Sequence, residues 1–143
     1  MMTTLQPFHL AIPVHELETA RVFYRDVLNC AEGRSSEQWV DFDFYGHQLV
    51  IHCTGEKSKN AHNPVDEKSV PVPHFGVILK QEDWNRLAKR LKAKHIEFII
   101  EPYTRFQGEV GEQSTMFFLD PSEMRWNLKH LKILISSLLP EKS

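Results

Sequence analysis

The sequence contains few cysteines, and acidic residues only slightly outnumber basic ones. The 143 residues contain two cysteines, Cys30 and Cys53, without a CxxC spacing or the density of a disulfide scaffold. We therefore expect two reduced thiols. The sequence does not begin with a basic stretch followed by a long apolar run, so it predicts no signal peptide, and the cytoplasm is the expected compartment.

The net charge of −2 comes from acidic and basic residues that are interspersed along the chain. This pattern excludes the basic footprint typical of nucleic-acid binding, and no polybasic or amphipathic segment predicts binding to a membrane. The length suits one domain, which would bury roughly two thirds of the surface of its unfolded chain. A small molecule is the partner that these properties favour.

The hydrophobic pattern that is present occurs twice, once in each half of the chain. In the first half, an apolar strand precedes a helix with a buried stripe at helical spacing, and two further strands follow. The second half gives strand, helix and strands in the same order. The predicted strands are 8–12, 39–44, 48–52, 74–79, 96–100 and 116–119, and the predicted helices are 17–28 and 82–94.

Two stretches of the halves align independently of each other. FHLAIPV aligns with PHFGVIL, which pairs His9 with His74, and VDFDFYG aligns with FFLDPSE, which pairs Asp43 with Asp120. An internal βαβββ duplication within one α+β domain is therefore expected. The expected boundaries within residues 1–143 are a first module at 5–53, a polar linker at 54–72, a second module at 73–129 and an atypical apolar tail at 130–143.

Several motifs occur in an order that resembles one superfamily. FHLAIPVHELETARVFYRDVLNC, DFDFYGHQL, VPHFGVIL and MFFLDPS together are similar to the vicinal oxygen chelate superfamily, which contains glyoxalases, extradiol dioxygenases and the fosfomycin and bleomycin resistance proteins. The resemblance covers about residues 5–129. It implies two tandem βαβββ modules whose mixed sheets form a cup around a metal or ligand cavity.

The resemblance also implies a divalent metal such as Fe²⁺ or Mn²⁺, held by the first strand of each module and the last strand of the second. These positions are His9, His74 and Asn127 in this sequence. Two neutral imidazoles and a carboxylate leave open positions on the ion, where a substrate chelates through two adjacent oxygens. Asn127 supplies a neutral amide oxygen instead of the carboxylate, which predicts weaker metal binding.

Six further residues are candidates for the cavity wall. Three share one face of a predicted strand, where the register between the halves makes Val50 the counterpart of Asn127. The other three lie on the predicted long loop of the second half, where a basic and an amide residue suit an anionic substrate and a tyrosine suits a proton donor. A solvated loop is the alternative interpretation. The six are Gln48, Val50, His52, Tyr103, Arg105 and Gln113.

The sequence leaves three functions open. The first is a metal-dependent dioxygenase, lyase or isomerase that acts on a small substrate with vicinal oxygens. The second is a metal-independent binding protein of the drug-sequestering type, which the missing carboxylate favours. The third is a chain without present function because its C-terminal residues are altered. The resemblance implies a homodimer, although the residues fix no oligomeric state.

The departure from the family pattern begins after Ser122. Members of the family continue DPS with Gly, Asn, two variable residues and Glu, whereas this chain reads DPSEMRWNLKHLK. Inserting one base after the codon for Ser122 restores that pattern and places a glutamate at position 127, so we predict a one-base deletion in the gene or in its sequencing. A natural divergent tail is the alternative. Resequencing the gene decides, because codons incompatible with the restored frame contradict the deletion.

Overall fold

The computed structural model of the chain describes residues 5–57, 61–65 and 68–132. The chain divides into two compact units, Met1–Lys59 with Asp120–Met124 and Asn60–Leu119 with Arg125–Ser143. Among the described residues, no helix is long and apolar enough to cross a membrane. The strands are β1 (His9–Val14), β2 (Ala31–Ser35), β3 (Trp39–Phe44), β4 (His47–Cys53), β5 (Ala61–Val65), β6 (Lys68–Val72), β7 (Phe98–Arg105), β8 (Gln113–Leu119) and β9 (Arg125–Leu131). The α-helices are α1 (Leu17–Val22), which continues as a π-helical segment (Phe23–Val27), and α2 (Gln81–Ala93).

The first unit is a βαβββ module with the strand order β1-β4-β3-β2. β1 runs parallel to β4, and the other neighbours are antiparallel. Alternation along β3 buries Val40, Phe42 and Phe44 on one face, as the sequence predicts. The sequence does not predict β2, because all five of its residues are exposed and no apolar alternation marks it.

Both cysteines are free thiols, as expected. Cys30 is buried and Cys53 is half-buried. Burial, with a smaller contribution from the charge of Asp43, raises the pKa of the Cys30 thiol to about 12. The thiolate form that metals and oxidants require is therefore disfavoured at this cysteine.

A turn from the second half of the sequence completes the core of the first unit. Tyr24 donates its hydroxyl to Asp120 Oδ2 at 2.5 Å, and Asp120 Oδ1 accepts the backbone N–H groups of Ser122 and Met124, both at 2.8 Å. Burial raises the pKa of Asp120, and these hydrogen bonds oppose the shift. The carboxyl therefore fixes the shape of the turn that leads into β9.

The second unit repeats the same strand order. β7, β8 and β9 form an antiparallel sheet, and the segment 74–79 lies parallel to β9 through bridges that join Phe75 to Trp126 and Ile78 to Lys129. Helix α2 contacts β9, and its Trp84 indole donates to the Leu128 carbonyl at 2.9 Å. The predicted α+β class with two βαβββ modules is confirmed.

The predicted linker at 54–72 is wrong in its second part, because β5 and β6 pair there as an antiparallel ribbon. The two prolines mislead a prediction from sequence, since proline cannot donate to a sheet. In a two-stranded ribbon each strand has an open edge, where a missing N–H group is tolerated. Val70 anchors the ribbon, because it is buried in a cluster with Ile100 and Phe117.

The long second-half loop is also shorter than predicted. β7 continues past Pro102 to Arg105, and the shifted register between Ile100 and Tyr103 accommodates the proline as a bulge. Gln113 is the first residue of β8 and pairs with Arg105, so both are strand residues. At the other end of the unit, β9 includes the first two residues of the predicted tail, and 133–143 lie outside the described residues.

Gly76 permits a close approach between the segment 74–79 and β9. A Cβ atom at this position would lie 1.5 Å from the carbonyl oxygen of Asn127. We therefore predict that Gly76→Ala lowers the free energy of unfolding by about 3 kcal/mol or more, because the backbone must separate to admit the methyl group.

Urea unfolding of Gly76→Ala measures this loss, and Gly111→Ala is the matched control. A Cβ atom at Gly111 would make an ordinary contact of 3.8 Å with the Phe106 ring. Equal stability of the two variants would contradict the close approach.

Candidate functional site

The second unit contains a cavity of about 80 Å³ on one face of its sheet. This volume accommodates a few water molecules or a small ligand group. None of the residues that line it in the described part of the chain is acidic. The lining residues are Val70, His74, Ile100, Tyr103, Arg105, Thr115, Phe117, Asn127 and Lys129.

Strand alternation brings these side chains to one face. Tyr103 pairs with Thr115, and Thr115 pairs with Lys129, so these three form one row across the sheet. Ile100, Phe117 and Asn127 form the adjacent row by the same pairings. The row that contains Ile100 and Phe117 is thus mainly apolar, and the adjacent row carries hydroxyl groups and a charge.

Two cations lie on the wall of the cavity. Burial, followed by repulsion from Arg105, lowers the pKa of the half-buried Lys129. The guanidinium carbon of Arg105 lies 4.9 Å from the centre of the Phe106 ring, which is within the range of a cation–π interaction. The cavity therefore has a positive wall, and the described residues contribute no carboxylate to it.

His74 has a fixed tautomer. Its Nδ1 lies 2.7 Å from the Pro71 carbonyl oxygen, and because a carbonyl only accepts, Nδ1 carries the proton. The imidazole packs edge to face on Phe117 with 4.8 Å between ring centres. Nε2, with its lone pair, is therefore the ring atom available to a ligand.

Asn127 is buried, with 5% of its surface exposed. Its Nδ2 donates to Thr115 Oγ1 at 2.5 Å and to the Met116 carbonyl at 3.1 Å. Both amide hydrogens are therefore used within the sheet.

The remaining predicted site residues lie elsewhere. In the first unit, His9 is exposed and its Nδ1 lies 2.8 Å from Gln48 Oε1. His52 is exposed as well, whereas Val50 is buried and pairs with Ala11. Gln113 is half-buried in the second unit, where it pairs with the lining residue Arg105 but does not itself line the cavity.

The structure therefore brings four of the predicted residues to one cavity. These are His74, Tyr103, Arg105 and Asn127. The wall roles of Gln48, Val50, His52 and Gln113 stay predictions. Sequence reasoning missed Thr115 and Lys129, although both share the alternating strand face of residues that it considered.

The donor set does not fit the two-histidine, one-carboxylate site that the resemblance implies. The described residues include no group of three or more His, Cys, Asp or Glu side chains placed to hold a metal ion. Asn127 is neutral, and its amide nitrogen is committed to protein acceptors. Its carbonyl oxygen is a weak ligand for a divalent cation beside two positive side chains.

Comparison with protein-family models gives a match over residues 6–128 to the Glyoxalase/Bleomycin resistance protein/Dioxygenase superfamily. The chain belongs to this superfamily. No curated protein matches the sequence.

Solved structures with the same fold include members of the superfamily. A glyoxalase/bleomycin resistance protein/dioxygenase from Alicyclobacillus acidocaldarius is 28% identical, with a TM-score of 0.78 over 98% of this chain and 100% of that one. The fosfomycin resistance protein FosX from Listeria monocytogenes is 20% identical, with a TM-score of 0.68 over 96% and 100%. A Glu→Gln variant of FosX, complexed with Mn(II) and 1S,2S-dihydroxypropylphosphonic acid, is 21% identical, with a TM-score of 0.67 over 98% and 100%.

Lys129 offers a test of the cavity's electrostatics. Because its pKa is lowered from 10.5, the folded chain holds this proton less tightly than the unfolded chain does. The penalty is present at neutral pH and is relieved as the pH rises through the lowered pKa toward 10.5. We predict that Lys129→Met raises the free energy of unfolding by about 0.5–1 kcal/mol at neutral pH, as functional-site substitutions often do.

Chemical unfolding at several pH values measures this gain, and it should shrink as the pH rises. Lys89→Met, on the exposed side of α2, is the matched control and should leave stability unchanged. A loss of stability in Lys129→Met at neutral pH would contradict the desolvation of this lysine.

Proposed function

We propose that the chain is a small-molecule binding protein that takes a small oxyanion into the cavity of its second module without a divalent metal. The charge of the wall carries this proposal. Arg105 and Lys129 line the cavity, and no acidic residue of the described part does. Charge-assisted hydrogen bonds from such groups contribute about 1.5–3 kcal/mol each.

The lowered pKa of Lys129 supports the same ligand class. In the free protein, burial and the nearby charge of Arg105 disfavour the ammonium form. A bound anion adds an opposite charge to the same space, which favours the ammonium form. Ligand binding and the charge of Lys129 therefore stabilise each other.

The relatives supply a further argument for an oxyanion. The FosX variant is complexed with a dihydroxypropylphosphonic acid, which combines an anionic phosphonate with hydroxyl groups. We propose that this chain also binds an oxyanion, because its cavity is lined by cationic side chains. We do not propose Mn(II) binding for this chain, because Asn127 provides no carboxylate and its amide nitrogen donates to Thr115 and Met116.

A metal-dependent dioxygenase, lyase or isomerase is the second candidate. The observation that favours it is that the Nδ1 atoms of His9 and His74 each lie within hydrogen-bond distance of an oxygen atom. Histidines that bind metals through Nε2 are commonly oriented in this way. A homodimer and a cytoplasmic location stay predictions for either function.

The proposal is tested by calorimetric titration of chelator-treated protein with methylphosphonate. We expect saturable binding that weakens about tenfold or more in Arg105→Gln and in Lys129→Met, because each variant loses one charge-assisted contact. Arg34→Gln is the matched control, since 85% of its side-chain surface is exposed. Absence of binding, or equal affinity in all variants, contradicts the proposal.

Manganese titration separates the two candidates. The paramagnetic resonance signal of free Mn(II) reports its uptake by the wild type and by Asn127→Glu. Binding of methylphosphonate with negligible uptake of Mn(II) by the wild type supports the proposed function. Stoichiometric uptake by the wild type supports the metalloenzyme instead, and uptake by the variant alone indicates that the chain has lost a metal site.

A further inference from the structure

The orientation of the Asn127 amide is fixed by its partners. The Met116 carbonyl only accepts hydrogen bonds, so the amide atom 3.1 Å away has to be Nδ2. The second hydrogen of Nδ2 goes to Thr115 Oγ1 at 2.5 Å. A flipped amide would place two oxygens against each other at Met116, which excludes the alternative orientation.

This orientation leaves Oδ1 as the polar atom of the side chain that is available to a ligand. Within the described part of the chain, the Asn127 side chain makes its hydrogen bonds through Nδ2. The backbone of Asn127 is occupied as well, because its N–H donates to the Phe75 carbonyl at 2.7 Å. Since the residue lines the cavity, its chemical contribution there is one neutral acceptor.

An acceptor on the wall recognises a hydrogen-bond donor. An oxyanion without hydrogens cannot supply one, and two oxygen acceptors that face each other repel. A ligand that presents a hydroxyl group to Oδ1 while its anionic group meets Arg105 and Lys129 would therefore match both features of the wall. Asn127 and Lys129 are two residues apart on β9, so they share a strand face about 7 Å apart along the backbone.

We infer that Asn127 is a specificity-determining residue, through which the cavity prefers an oxyanion with an adjacent hydroxyl group over the same oxyanion without one. Thr115 is its positioning residue, because it holds the amide nitrogen and so aims the oxygen. The inference rests on the proposed function, since it presupposes that the cavity binds anions.

Glycolate and acetate form a matched pair of probes, because they differ by one hydroxyl group beside the carboxylate. In chelator-treated wild-type protein, we expect glycolate to bind about three- to tenfold more tightly than acetate, which corresponds to one neutral hydrogen bond. Asn127→Leu should bind both probes equally. Equal binding by the wild type, or a preference retained in Asn127→Leu, overturns the inference.

Two further variants keep the test independent of misfolding. Thr115→Val removes the acceptor that aligns the amide, so it should reduce the glycolate preference. An unchanged preference overturns the positioning role. Asn85→Leu, on the exposed side of α2, is the control and should behave as the wild type. Circular dichroism and urea unfolding verify that each variant is folded.

The outcomes separate this inference from the proposed function. Binding of both probes with equal affinity, lost in Lys129→Met, overturns the role of Asn127 and leaves anion binding intact. Failure of the wild type to bind either probe overturns both. Glycolate preference that disappears in Asn127→Leu supports both.

Discussion

The parallel hydrogen bonds between the segment 74–79 and β9 determine what the second module can do. Asn127 donates its backbone N–H to Phe75, and Leu79 donates to Lys129, so the register of β9 is fixed at both ends. This register directs Asn127 and Lys129 into the cavity and buries Trp126 and Leu128. A slip of one residue would exchange the two faces, placing a charge in the core and large apolar side chains in the cavity.

The cavity is maintained at a cost to stability. Burial and the charge of Arg105 lower the pKa of Lys129, and Asn127 and Thr115 are buried polar residues that satisfy each other. The opposite face of the sheet offsets this cost, since the side chains of Trp126 and Leu128 are almost fully buried. Strained or desolvated groups that persist beside a well-packed core are typical of binding sites rather than of scaffolds.

Much of the fold can be predicted from the sequence, because its elements have clear periodicity. The buried stripe of α2 and the alternation in β3 are visible without coordinates, and His9 and His74 align the two halves of the sequence. The exposed β2 and the proline-containing β5–β6 ribbon are not predictable in this way, since their residues carry no apolar alternation.

The candidate site, too, can be predicted from the sequence only in part. His74, Arg105, Tyr103 and Asn127 follow from motif and residue type, whereas Lys129 is recognised only when β9 is seen to face the cavity. The orientation of the Asn127 amide depends on where the Met116 carbonyl lies, which no sequence pattern encodes. In place of the expected carboxylate the structure has an oriented amide in a positive cavity, and we propose that this arrangement suits a hydroxylated oxyanion more than a divalent cation.

The side-chain amide of Asn127 provides the most direct measurement of this account. In the ¹H–¹⁵N spectrum of chelator-treated protein, its two N–H signals report the hydrogen bonds to Thr115 and Met116. Titration with glycolate is predicted to shift these signals saturably, together with backbone signals of β8 and β9, without any added metal. Signals of Asn127 that stay unchanged, or that shift only after a divalent cation is added, would contradict the account.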